Sequence, residues 1–257
     1  MSSKIHFFHA NGFPVETYFE LLNNLEGQIL PPIRIIGEGL QTVDEGYDNF
    51  VDEVIEHAFK TKGEGVAIGH SLGATLSLLA EARHPGLFKT VILLDPPLFS
   101  EIKMIIGSIL RRFGLLYLFT PAKKSKKRRV IFDTREEALE YFSNRKLFRE
   151  IPRSTIKLYV KYGLEKFGGS FRLVIPRERE TQIFNNFPTS LPIEISRIQG
   201  TLFYADKVRL LDDADLKWWN KAMPKISTNP FHGSHMFPFE KPRELAVLIN
   251  KILVSCR

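Results

Sequence analysis

Gly69-His70-Ser71-Leu72-Gly73 has the residue types and spacing of an activated alcohol. A serine hydroxyl is a weak nucleophile at neutral pH and needs an imidazole beside it. The five-residue pattern recurs by chance, so its surroundings decide. Here apolar Val66-Ala67-Ile68 precedes it and an apolar-periodic segment, Leu72 to Arg83, follows. That is the strand–turn–helix setting of a nucleophile elbow. Glycines flank the serine where a Cβ would clash in so tight a turn. Ser71 then projects from a helix N-terminus, where the Leu72 N–H can meet a developing oxyanion. The plain alternative is a Gly/Ser turn that opens a helix, and the context favours the nucleophile.

Two further segments carry polar groups that could serve such a serine. Phe7-Phe8-His9-Ala10-Asn11-Gly12-Phe13-Pro14 follows the first apolar segment. Near the other end comes Phe231-His232-Gly233-Ser234-His235-Met236, continuing to Glu240-Lys241-Pro242. With the elbow, these segments resemble the α/β-hydrolase family, which has an H-G-x loop after its first strand and a G-x-H loop before its last helix. The resemblance assigns the general base to His235 and the second oxyanion N–H to Asn11, with Ala10 where the family has glycine. His232 precedes the loop glycine and is expected to be a structural or pocket histidine. The order serine, acid, histidine is also that of the family.

The acid has two candidates. It must accept the second imidazole N–H and steady the imidazolium. Asp95 ends the apolar segment Val91–Leu94, at the loop end of a sheet where ligands collect, and some family members place their acid there. Its plainer role is a strand-end cap before Pro96-Pro97. Asp206 follows Gly200 by six residues, twice the spacing of the family's G-x-x-D pattern. Asp95 is therefore favoured, with Asp206 the alternative.

A Ser–His–acid set with an oxyanion hole implies acyl transfer to water. The expected substrate is a small-molecule carboxylic ester of small or medium acyl length. Thioester, amide, lactone and carbon–carbon bond hydrolysis would use the same residues. The family's dehalogenases and epoxide hydrolases use an aspartate nucleophile, so Ser71 argues against them. A different class is a family fold that has lost catalysis and acts as a binding protein. No metal-ligand cluster or phosphate-cradling glycine motif is present in the sequence, so no cofactor and no metal are expected.

The elements that must position these residues alternate. Strands are predicted at 4–8, Pro32–Ile36, Val66–Ile68, Thr90–Leu94, Ile193–Ile198 and Lys225–Ser227; helices at Asp48–Lys60, Leu72–Arg83, Leu211–Met223 and Pro242–Val254. Apolar strands alternating with helices predict an α/β fold: a mostly parallel sheet of about six strands, covered on both faces. The alternation breaks over residues 99–187. That stretch reads as a largely helical lid, with helices near Ile102–Phe113, Arg135–Phe142 and Ser154–Tyr162 and a hairpin at Gly168-Gly169. Residues 1–98 and 188–257 then form the hydrolase core.

At 257 residues and 44% hydrophobic content the chain suits one folded unit. Its 21 phenylalanines are assigned mainly to core packing, with an acyl pocket as the sharper alternative. Six of the seven net positive charges fall between Lys123 and Arg129. That argues against a nucleic-acid footprint and reads as a solvated loop, with contact to an anionic surface as the lesser alternative. No apolar run reaches the ~20 residues of a membrane span. A lone Cys256 and an N-terminus without a signal-peptide layout lead to the expectation of a cytoplasmic protein.

Overall fold

The computed structural model describes residues 3–61, 64–118, 120 and 128–256. Lys123, Lys124, Lys126 and Lys127 lie outside the described residues. Six parallel strands form the central sheet: β1 (Ser3–Phe8), β2 (Gly27–Ile29), β3 (Val66–His70), β4 (Thr90–Leu94), β8 (Gly200–Ala205) and β9 (Ile226–Phe231). Their order across the sheet is β2-β1-β3-β4-β8-β9. β1, β3, β4 and β8 are central and rich in Ile, Val, Leu and Phe, as strands covered on both faces must be. In β3 and β4 nearly every residue is buried.

Helices α1 (Phe19–Leu22), α2 (Asp48–Lys60), α3 (Leu72–Arg83), α8 (Asp213–Ala222), α9 (Phe237–Glu240) and α10 (Pro242–Ser255) surround this sheet. Two apolar clusters result. One contains Ile5, Phe7, Ile68, Leu94 and Phe239, and the other Phe8, Val51, Ala67, Leu93 and Trp219. Helix α3 buries ten residues in its twelve, so it has little polar face. Each fully buried Leu in it contributes about 2 kcal/mol of transfer free energy.

Between β4 and β8 the chain builds α4 (Glu101–Arg112), α5 (Arg135–Ser143), α6 (Arg153–Gly163) and α7 (Arg177–Asn185). It also builds a three-stranded antiparallel sheet, in the order β5 (Ile131–Phe132), β7 (Ser170–Leu173), β6 (Leu164–Phe167). The hairpin expected at Gly168-Gly169 is the β6–β7 turn, with Phe167 paired to Ser170 and Gly168 at φ +59°. An aromatic cluster joins this layer to the core. Phe13 lies 5.8 Å from Phe148, 5.1 Å from Tyr159 and 5.0 Å from Phe239, centroid to centroid.

Two predicted strands are corrected. Pro32–Ile36 is not a strand; the edge strand is β2, and its pairing ends where the Leu30 N–H donates to the Ile5 carbonyl. Pro31 and Pro32 follow and have no N–H with which to continue the ladder. Ile193–Ile198 holds a 3₁₀ turn over Ile193–Arg197 in place of a strand. Its alternation misled: Ile195 and Ile198, three apart, are buried while Ile193 is exposed. The true strand, β8, starts at Gly200. The last strand is longer than expected and includes Pro230, which β9 tolerates because it is an edge.

Candidate active site

Three loops at the carboxyl ends of the strands converge. The first follows β1, the second is the β3–α3 turn, and the third follows β9. Parallel register sets their heights, with Phe7 opposite Ile68 and Ile68 opposite Ile92. The β3–α3 turn puts Ser71 at φ +53°, ψ −112°, and its N–H donates to the Leu94 carbonyl at 2.9 Å. The flanking glycines are required. A Cβ on Gly69 would lie 2.4 Å from the Gly73 backbone, and one on Gly73 would lie 2.1 Å from the Phe8 carbonyl oxygen.

Ser71 Oγ is 3.0 Å from His235 Nε2, and His235 Nδ1 is 2.6 Å from Asp95 Oδ2. Asp95 follows β4, is fully buried, and has φ +48°. Its N–H donates to the Phe203 carbonyl at 2.8 Å, and its Oδ1 accepts the Ala205 N–H at 3.2 Å. A buried carboxylate with two partners on its oxygens holds the imidazole by Nδ1–H. Nε2 is then a lone pair facing the serine proton. The side chain of His235 is 30% exposed, which leaves the assembly open to a substrate on one side.

Asp206, the alternative acid, is elsewhere. Its carboxylate lies 3.2–3.3 Å from His232 Nδ1 and accepts the Gly233 N–H at 3.2 Å. Loss of solvation is the largest single influence there and opposes ionisation, but the bonds from His232 and Gly233 together prevail and hold Asp206 below the usual carboxylate range. His232 is thus the exposed histidine of the two, paired with Asp206 and not with Asp95.

Leu72 is the first residue of α3, so its N–H has no carbonyl one turn back inside the helix. Asn11 sits in the loop after β1. Its Nδ2 donates to the Glu180 carbonyl of α7 at 3.3 Å, and the next residue, Gly12, has φ +83°. Arg128 pairs with Glu180 at 2.6 Å and also donates to the Tyr159 hydroxyl. Arg128, near the end of the basic run, is therefore a partly buried tie to α7, whose Glu180 carbonyl holds Asn11. Arg129 pairs with Glu137 at 2.6 Å.

Sequence reasoning missed a polar group behind the serine. His70, fully buried, lies with Nδ1 2.7 Å from the Tyr18 hydroxyl and Nε2 2.9 Å from the His235 carbonyl oxygen. The Tyr18 oxygen accepts the Ala10 N–H at 3.0 Å. His9 Nε2 accepts the Ile36 N–H at 2.8 Å, and its Nδ1 is 2.9 Å from the Ala10 carbonyl oxygen. Burial lowers the His9 pKa to about 4, against a smaller opposing effect of the Ala10 carbonyl. Burial, then the nearby His235, pushes His70 well below the ordinary histidine range. Burial drives the Tyr18 hydroxyl far up, so it keeps its proton. His70 was visible as the second residue of the pentapeptide, but nothing in the sequence tied it to Tyr18.

Among the described residues no group of three or more His, Cys, Asp or Glu could hold a metal ion, and no helix is long and apolar enough to cross a membrane. A surface cleft of about 800 Å³ between α2, α3 and residues 188–194 is lined by none of Ser71, His235 and Asp95.

Residues 47–137, which include the elbow and Asp95, match a family described as putative esterase. Curated proteins give no match. Solved structures give many, at low identity. An E-2-(acetamidomethylene)succinate hydrolase superposes with a TM-score of 0.79 at 18% identity, covering 98% of this chain and 92% of its own. A peroxisomal alpha-beta-hydrolase of Saccharomyces cerevisiae gives 0.74 at 16%, covering 98% and 75%. An M. tuberculosis esterase gives 0.73 at 14%, covering 98% and 86%. With its sheet order and its elbow between β3 and α3, the chain has the α/β-hydrolase fold.

Proposed function

We propose that the chain is a serine hydrolase that cleaves carboxylic esters of small or medium acyl groups through an acyl-enzyme on Ser71. One observation carries this reading: the unbroken contact from Ser71 Oγ through His235 to buried Asp95, at 3.0 and 2.6 Å. His235 Nε2 takes the serine proton as Oγ attacks the acyl carbon. The carbonyl oxygen becomes an oxyanion beside the Leu72 and Asn11 N–H groups. Collapse expels the alkoxide, which takes the proton back from His235 and leaves as the alcohol. Water then attacks the ester on Ser71 with His235 again as base, which releases the acid and restores the serine. Asp95 stays ionised throughout and stabilises the imidazolium.

The match to a putative esterase family over 47–137 supports an ester over an amide or thioester. Two structural relatives are themselves described as a hydrolase and an esterase.

The test is turnover of a p-nitrophenyl ester series from acetyl to octanoyl, together with labelling by a fluorophosphonate. Ser71→Ala should lose labelling and about 10⁴-fold or more in kcat. A folded wild-type protein that neither labels nor hydrolyses any ester, thioester or amide would leave a non-catalytic binding role in its place.

A further inference from the structure

Ser71, His235 and Asn11 stand on three separate loops, and the proposed chemistry needs them in register to within about 0.5 Å. The polar group behind the serine joins all three loops, and the chemistry of its partners sets the direction of each hydrogen bond. The His235 carbonyl can only accept, so His70 Nε2 carries the proton. A neutral imidazole has one such proton, so Nδ1 is a lone pair and the Tyr18 hydroxyl donates to it. The Tyr18 oxygen is then free to accept the Ala10 N–H. On the other side, the Ile36 N–H can only donate, so His9 Nε2 accepts and His9 Nδ1–H donates to the Ala10 carbonyl.

Ala10 is therefore held at both its N–H and its C=O. The Ala10 carbonyl and the Asn11 N–H belong to one planar trans peptide and point in opposite directions. Fixing the oxygen on His9 fixes where the Asn11 N–H points.

We infer that Tyr18, His70 and His9 are positioning residues: they form one directed hydrogen-bond chain that holds the Asn11 oxyanion donor and the His235 backbone in register with Ser71. The inference rests on the serine-hydrolase reading above. None of the three residues touches the reacting atoms in this role. His70 is one residue from the nucleophile, and its ring lies 5.1 Å from that of His235 and 5.8 Å from those of Tyr18 and Phe239, with both its nitrogens engaged by the Tyr18 hydroxyl and the His235 carbonyl. The ring of Tyr18 is wedged 4.4 Å from Phe239 and 4.8 Å from Phe7, so its hydroxyl has little freedom to turn elsewhere.

The experiment compares Tyr18→Phe, His70→Ala and His70→Gln with the full wild-type chain, on an ester the wild type hydrolyses. Tyr18→Phe should lower kcat about tenfold with KM within about twofold, and slow fluorophosphonate labelling to match. His70→Ala should lose more, and His70→Gln, whose amide can still donate to the His235 carbonyl, should recover most of that loss. Thermal melts separate this from unfolding, since Tyr18→Phe keeps the packed ring. Long-range ¹H–¹⁵N spectra of the wild type should show His70 as the Nε2–H tautomer and His9 as Nδ1–H.

Wild-type kcat and labelling rate in both Tyr18→Phe and His70→Ala would overturn the inference, as would the opposite tautomers. So would a loss in kcat that only tracks a loss of folded protein. A wild type that fails to label would remove the serine-hydrolase reading itself. A wild type that labels, alongside unaffected Tyr18→Phe and His70→Ala, removes only the positioning role.

Discussion

Two aspartate–histidine pairs stand side by side at the ends of adjacent strands. Asp95 follows β4 and holds His235; Asp206 follows β8 and holds His232. Both histidines belong to one loop, three residues apart. The first aspartate is fully buried and 2.6 Å from its histidine, while the second is 40% exposed with its histidine 70% exposed. Residue type is the same in both, but the exposed pair is longer, at 3.2–3.3 Å. The other difference is water. A carboxylate shielded from solvent, with its other oxygen bonded to backbone, acts on its imidazole at low dielectric. A carboxylate in solvent is screened, and such pairs contribute little. The buried pair also reaches a serine, and the exposed pair ends in solvent.

Neutralising each acid in turn should separate the two pairs most widely. Asp95→Asn should cost about 10³- to 10⁴-fold in kcat, because an amide can donate to Nδ1 and leave Nε2 protonated toward Ser71. Asparagine also tolerates positive φ, so the backbone should survive the change. Asp206→Asn should change kcat by less than about twofold and leave stability close to that of the wild type. The reverse ranking, measured on one ester, would transfer the acid role to Asp206.

A smaller contrast concerns pH and stability. His9, on the buried side, is neutral when folded, with its pKa lowered from 6.5 to about 4. The unfolded chain takes up this proton first as pH falls, so stability is complete above about pH 6.5 and declines down to about pH 4. That shift corresponds to a loss on the order of 3 kcal/mol from this one residue. Denaturant titrations at pH 7 and 4.5 should show His9→Gln losing less stability between the two than the wild type. An identical loss would mean that His9 is not held neutral.

The reliable parts of the sequence reading were those that local chemistry decides. Gly69 to Gly73 between an apolar strand and an apolar helix admits few geometries, and a Cβ at either glycine has nowhere to go. The parallel sheet followed from continuous apolar strands. Ile193–Ile198 failed because an alternating pattern over six residues also fits two buried isoleucines three apart after a proline. The acid stayed divided between Asp95 and Asp206 because burial, which separates them, depends on strand order and on loops distant in sequence. Tyr18 was invisible for the same reason. Its partner is 52 residues away, and a tyrosine in an apolar segment reads as core.

Among the described residues three non-glycine positions have positive φ, and two of them are Ser71 and Asp95. Backbone held in that region costs on the order of 1–3 kcal/mol per residue. The molecule should therefore be more stable without its proposed function. Ser71→Gly relieves the strain, whereas Ser71→Ala keeps a Cβ at φ +53° and does not. Both variants should be inactive, and the glycine variant should melt about 2–4 °C higher than the alanine variant. Selection for stability alone would be expected to replace this serine, so its presence in so strained a turn reflects a demand other than folding.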